Sequence, residues 1–182
     1  MKILIDTNVI ITYLTNREDK YAKEVDIIME KCITHQIEGF VAFHSLSTIW
    51  YLLRRSSFDS RLHGIEFVCK YLRISYSDNE LLLEAIKNTD FQDFEDNLQD
   101  CCAQTVGADY IVTANVRAYD GHSVVKAVTP SELLSILNEA DDSYSDSKAD
   151  LEVHEQHIEY SPQGVAIPFR VHFHILLSCH AA

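Results

Sequence analysis

Four carboxylates in this 182-residue chain stand where they could do chemistry together. Asp6 ends the apolar run "KILID", and an ionised Asp is costly to bury, so a strand that carries one to its end needs a reason. Asp93, Asp96 and Asp100 fall within "DFEDNLQD", spaced i, i+3 and i+7, which predicts one shared helix face. A pair of such carboxylates meeting across a crevice would share Mg2+ or Mn2+, since hard cations take a few carboxylate oxygens and keep several waters. A divalent ion lowers the pKa of its water and polarises a phosphoryl oxygen, which is the chemistry of phosphodiester hydrolysis. Thr113 and Asn115 in "VTAN", with Ser45 and Thr48 in "SLSTIW", add hydroxyl and amide groups able to orient a water or phosphate.

Each residue also has a plainer reading. Acidic side chains near a helix N-terminus are favoured by the dipole and by solvation. Asp6 can cap the following helix, although Thr7 or Asn8 can do that and leave Asp6 free. Ser45 suits an N-cap. Arg54, Arg55 and Arg61 could meet an RNA backbone or simply solvate the end of an amphipathic helix.

The elements that must position these groups are strands alternating with helices. "KILID", "GFVAF" (39–43), "YLRIS" (71–75), "DYIVTA" (109–114) and "SVVKAV" (123–128) read as strands. Helices are expected behind the first strand, over 18–36, 45–55, 59–71, 77–88 and 93–106, and in "TPSELLSIL" with Pro in its first turn. In the helix at 93–106, Phe94, Leu98, Cys101, Cys102 and Thr105 are expected to form the inner stripe. This alternation predicts an α/β fold with a parallel sheet, whose sites lie beyond the carboxyl ends of its strands. Asp6 is at such an end. No GxGxxG or P-loop occurs among the five glycines.

The formal net charge of −13 argues against binding nucleic acid through overall charge. A nucleic-acid enzyme of this composition needs bound cations and a local basic patch. Of that charge, −6 belongs to 139–182, with eight acidic and two basic residues. The stretch 139–150 reads as an acidic linker, and 151–182 as a C-terminal extension of two strands, the second in "VAIPFRVHFHILL". His154, His157, His172 and His174 can be drawn as a zinc site, but solvent-facing histidines are the preferred reading, since HxxH on a strand splits the rings between two faces. The five cysteines, with no CxxC, read as reduced small hydrophobes. No signal peptide or membrane span is visible, so a soluble, cytoplasmic chain is expected.

The ordered set "ILIDTNVII", "SLSTIWYLLRR", "DFEDNLQDCCAQTVGADYIVTAN" and "VTPSELL" resembles the PIN domain, over about residues 1–138. The resemblance implies a three-layer α/β/α sandwich with a five-stranded parallel sheet. It implies a Mg2+- or Mn2+-dependent endoribonuclease, the VapC-like toxin of a toxin–antitoxin pair, with an RNA substrate, a small antitoxin partner and a possible homodimer. Carried over by position, Asp6 and Asp96 are the metal-binding carboxylates, supported by Asp93. The remaining expected acidic positions fall on Thr48 and on Asn115, with a later one at Ala118 beside Tyr119. Thr48 and Asn115 would complete the catalytic group, and Asn8, Ser45 and Thr113 would orient ligands. A hydroxyl and an amide at two acidic positions imply a weaker metal site, or a non-catalytic PIN-like domain that binds RNA or protein. A haloacid dehalogenase-type phosphotransferase with Asp6 as nucleophile ranks last, because Asn8 stands where that class has its second Asp.

Overall fold

In the computed structural model, residues 1–148 are described, with side chains to residue 140. Five parallel strands run β1 (Lys2–Ile5), β2 (Glu38–Ala42), β3 (Arg73–Ser75), β4 (Tyr110–Val112) and β5 (Ala127–Val128), in the order β3-β2-β1-β4-β5. The helices between them are α1 (Thr7–Thr15), α2 (Ala22–Ile33), α3 (Ser45–Leu52), α4 (Phe58–Tyr71), α5 (Asn79–Lys87), α6 (Phe94–Val106) and α7 (Pro130–Lys148). The expected α/β architecture with five parallel strands is present.

β1 is central because its side chains are apolar on both faces. Ile3 and Ile5 enter one core with Val9, Ile10, Ile28, Ile49, Val68 and Leu133, which come from α1, α2, α3, α4 and α7. Leu4 enters the other with Phe40, Ile111, Cys102, Ala103 and Tyr119. Helices therefore cover both faces, and a strand buried on both sides reads as the continuous apolar run seen in the sequence. At Gly39 an added Cβ would meet Cys32 Sγ at 2.7 Å and Leu72 Cδ2 at 2.8 Å, so the side chains packed on β2 there would have to shift to admit one.

The register fixes the carboxyl edge. Leu4 pairs with Phe40, Ile5 with Val112, and Ala42 with Ser75. One step on, Asp6, Ala42, Ser75 and Thr113 stand level in a row across the sheet. Asp6 continues the ladder, its amide donating to the Val112 carbonyl at 3.0 Å.

Three expectations need correction. The inner stripe of α6 is only in part the expected one: Cys101 and Cys102 are buried, but Thr105 is exposed. Phe94 is exposed, while Asn97, Gln99 and Asp100 are buried beside Cys101, Cys102 and Ala103. Asp100 therefore does not share a solvated face with Asp93 and Asp96. It accepts from the Val124 and Val125 amides at 3.1 and 2.9 Å and from Gln104 at 2.8 Å. Third, "SVVKAV" forms only a two-residue strand, because the amides of its first residues are spent on Asp100 and on the Tyr119 carbonyl. The acidic stretch from 139, expected to open a linker, continues α7 as far as Lys148. The extension at 151–182, expected to form two strands, and the histidines drawn there as a zinc site lie outside the described residues.

Burial pushes the thiols of Cys32, Cys101 and Cys102 up, to about 12, 11 and 11, with Asp100 and Cys102 adding to the effect at Cys101. These are inert core groups, and none of the four described cysteines is in a disulfide. Among the described residues no helix is long and apolar enough to cross a membrane.

Candidate active site

Asp6 is held from three sides. It occupies the N-cap position of α1 in extended conformation, but its side chain makes no cap hydrogen bond. The carboxylate is turned instead toward β4 and α6. One oxygen accepts from Thr113 Oγ1 at 2.7 Å and from the Asn8 side-chain amide. The other faces Gln99 Nε2 at 3.4 Å. Asn8 also donates to Thr113 Oγ1 at 3.1 Å and accepts from the Ala114 amide at 3.1 Å, tying the start of α1 to the end of β4. Thr113 Oγ1 in turn accepts from the Asn115 amide at 3.0 Å. Asn8 and Thr113 thus fix the carboxylate of Asp6 and the loop that follows β4.

The second support was not foreseen from the sequence. Gln99 is fully buried and its Nε2 reaches Ser45 Oγ at 3.0 Å, Thr7 Oγ1 at 3.3 Å and Asp6. Its Oε1 is buried with no partner. Gln99 follows Asp96 by three residues, which puts both on one face of α6. That spacing was the available signal. Ser45, also fully buried, joins α3 to this network rather than capping its helix. Thr48 is half-buried one turn after Ser45.

Asp96 is half-buried and hydrogen-bonded to the buried Tyr119 hydroxyl at 3.3 Å. Asp93 caps α6, its Oδ1 accepting from the Glu95 amide at 2.9 Å. Asp93, Asp96, Asn115 and Ala118 share a cleft of about 340 Å³ with Asp90, Gln92, Arg117 and His122. Arg117 and His122, not singled out in the sequence, bring a cation and an imidazole beside the carboxylates. The side chain of Arg117 has no ion-pair partner among the described residues.

The electrostatics follow from burial. Desolvation pushes Asp6 up to about 6, opposed by the Thr113 hydrogen bond, increased by the charge of Asp96, and opposed again by the Asn8 and Thr7 amides. Burial also raises Asp96, with Asp93 and Glu95 adding to the rise and the Tyr119 hydrogen bond opposing it. Burial chiefly, then the charges of Asp6 and Asp96, push the Tyr119 phenol far up, so it stays a neutral donor.

Whether these groups suit a divalent ion can be judged from their donors. Two carboxylates that feel each other, one deeply buried, leave negative charge without a cation. The orphaned Gln99 Oε1 lies on the amide that already touches Asp6, and amide rotation presents it as another oxygen. Hard oxygen donors with room for waters fit Mg2+ or Mn2+. No group of three or more His, Cys, Asp or Glu side chains is gathered for a metal among the described residues, so the protein donors are few.

A PIN domain family model matches residues 2–117. No curated protein sequence matches the chain. Among solved structures, VapBC-1 from nontypeable Haemophilus influenzae is similar with a TM-score of 0.55 and 17% identity, over 72% of this chain and 99% of that one. VapBC2 from Rickettsia felis, bound to a DNA fragment from its promoter, has a TM-score of 0.54 and 13% identity, over 71% and 98%. DNA-bound VapBC from Salmonella typhimurium has a TM-score of 0.53 and 16% identity, over 71% and 98%. At these identities the likeness is one of fold. The sheet order, the buried Asp6 at the carboxyl edge and the match over most of the described residues lead to one assignment: the chain belongs to the PIN domain family.

Proposed function

We propose that this protein is a metal-dependent endoribonuclease, acting as the toxin of a toxin–antitoxin pair in the cytoplasm. The observation that carries the reading is the placement of Asp6. A buried carboxylate, fixed by Asn8, Thr113 and Gln99, meets the charge of Asp96 at the carboxyl end of a parallel sheet. Asp6 and Asp96 would hold Mg2+ or Mn2+, with Asp93 beside them. When bound, the ion supplies Lewis-acid stabilisation of the phosphoryl charge and a more acidic water.

The chain's own residues do the rest. Asp6, unable to rotate, keeps one acceptor direction. Asp96 orients the attacking water toward phosphorus and accepts its proton as the P–O bond to the departing nucleotide breaks, the departing oxygen taking a proton from solvent, while Tyr119 holds that carboxylate in place. Arg117 lies on the cleft wall where a phosphate flanking the scissile bond would pass. Asn115 offers a neutral hydrogen-bonding group in the cleft, Ser45 holds Gln99 beneath Asp6, and Thr48 stands one turn beyond Ser45 on α3. The partner is a small antitoxin protein, a reading supported by the likeness of fold to VapBC assemblies, and a homodimer is compatible with it.

The test is cleavage of single-stranded RNA with Mn2+. Asp96→Asn is expected to lower the rate at least about 100-fold, the scale of removing a positioned proton acceptor, without lowering the melting temperature in EDTA. Equal rates for wild type and Asp96→Asn would sink the proposal.

A second reading has its own support. Thr48, Asn115 and Ala118 stand where the PIN resemblance leads one to expect carboxylates, so the site carries little charge for a nuclease. A PIN-like domain that binds RNA or protein without cutting fits that deficit. Absence of RNA cleavage by the wild type with Mn2+ would favour this second reading, and Thr48→Glu tests whether the deficit lies at the metal site. If Thr48 faces a weakened metal site, the added anionic oxygen should increase the thermal shift caused by Mn2+. In EDTA the same variant should melt below wild type, because its new charge repels Asp6 and Asp96. A variant no more responsive to Mn2+ than wild type would mean that Thr48 does not serve the site.

A further inference from the structure

Beyond the acidic crevice, the carboxyl edge of the sheet carries large aromatic rings in water. Phe43 is 65% exposed and Tyr76 is 72% exposed. Their positions are set by the register. Asp6, Ala42 and Ser75 stand level on β1, β2 and β3, so Phe43 and Tyr76 are the next residues, projecting past the edge on two adjacent strands. The Phe43 amide donates to the Ser75 carbonyl at 2.7 Å, which holds the two backbones side by side. Ser75 Oγ is anchored to the Cys102 carbonyl of α6 at 2.7 Å. His44, next to Phe43, feels the charge of Glu95, so this edge abuts the start of α6, beside Asp96. There Phe94 adds a third ring, 50% exposed.

Single exposed apolar residues need no explanation. Two rings on neighbouring strand ends beside a candidate phosphodiester site are a different matter. Strands are about 4.8 Å apart, so Phe43 begins one strand spacing from Asp6 and Tyr76 two. A stacked strand rises about 3.4 Å per nucleotide. The rings therefore fall within one to three nucleotides of a phosphate placed at Asp6 and Asp96. The chain's charge gives the second argument. At −13 its overall field repels a polyanion, so contacts that do not depend on charge must add to what local cations supply. Base stacking on aromatic rings supplies them and tolerates any sequence. On the far side of Asp6, beyond β4, Arg117 offers a cation for the continuing backbone.

We propose that Phe43 and Tyr76 form a stacking platform for unpaired bases of single-stranded RNA, on the β2–β3 side of the acidic crevice. The platform rests on the ribonuclease reading for its substrate, and selects strands whose bases are free to splay out. Duplex RNA, its bases already stacked on each other, cannot use it.

The test reads binding rather than cleavage. The full chain in EDTA is titrated into a labelled short single-stranded oligoribonucleotide, and anisotropy is followed. Phe43→Ala and Tyr76→Ala are each expected to weaken binding roughly 5- to 100-fold, the scale of one lost base stack. Phe43→Trp should retain it. The loss should be similar at about 50 and 200 mM salt, unlike a loss of phosphate contacts. An abasic strand with the same phosphates should bind wild type about as weakly as the alanine variants bind RNA. Alanine variants that bind RNA like wild type would overturn the platform, as would equal affinity for the abasic strand. A change in self-association with RNA binding unchanged would also overturn it, marking the rings as a protein interface. Because both rings are exposed, truncation leaves the core untouched. Wild type that binds RNA through these rings but never cuts it would refute the nuclease and leave the platform standing.

Discussion

Asp6→Asn is expected to raise the melting temperature of the metal-free protein at pH 7.5 while destroying RNA cleavage. Burial, with Asp96 adding to it, lifts the folded-state pKa of Asp6 to about 6, whereas an unfolded Asp titrates near 3.9. Between those values the folded chain holds a proton that the unfolded chain has released. Stability therefore falls as pH rises through this window, and above it the full penalty of the buried charge is present, roughly 3 kcal/mol. An amide carries no such charge. Its oxygen can keep the donors from Thr113 and Asn8, and its nitrogen can meet Gln99 Oε1 once that amide turns, so the orphaned atom gains a partner. A gain of about 2 kcal/mol, or roughly 4 to 8 °C, is expected at pH 7.5. It should vanish near pH 4, where the wild-type carboxyl is itself protonated. Thermal melts of both proteins in EDTA across this pH range read the effect. A variant that melts lower at pH 7.5 would show Asp6 to be a structural anion.

Asp100→Ala should do the reverse, unfolding the protein without touching the chemistry. Asp100 is 2% exposed and accepts from the amides of Val124 and Val125 and from Gln104. These amides belong to the segment that leads into β5, the edge strand beside β4. Removing the carboxylate strands two backbone donors away from strand partners, at about 1 to 3 kcal/mol each. A loss of about 3 kcal/mol, with a melting temperature lower by roughly 6 to 12 °C, is expected. At a temperature where the variant is folded, its cleavage rate per folded molecule should stay near wild type. A loss of activity in the folded variant would place Asp100 in the site instead.

These two carboxylates show how far the sequence could be read. Asp6 announced itself, because a charge at the end of a β-branched apolar run is expensive and had to be used. The strand–helix alternation was equally legible, since a sheet covered on both faces leaves continuous apolar strands. The interior of α6 was not. Period-3.6 reasoning put Phe94 and Leu98 inward and the three carboxylates together outward, because it ranks residues by hydropathy. The helix instead turns Asn97, Gln99 and Asp100 into the protein, where Asn97 reaches the Ala85 carbonyl, Gln99 reaches Ser45 and Asp100 reaches the amides before β5. Those partners are remote in sequence, and nothing local signals them. Strand β5 was overestimated for the same reason. Alternation in "SVVKAV" shows a strand pattern, but Asp100 had already claimed its first amides.

The central claim is that Asp6 and Asp96 together hold a divalent ion, and calorimetric titration of Mn2+ into the full chain at pH 7.5 tests it most directly. The account predicts one binding event in wild type, lost in both Asp6→Asn and Asp96→Asn although both variants stay folded. Absence of binding in wild type, or binding that survives both substitutions, would contradict it.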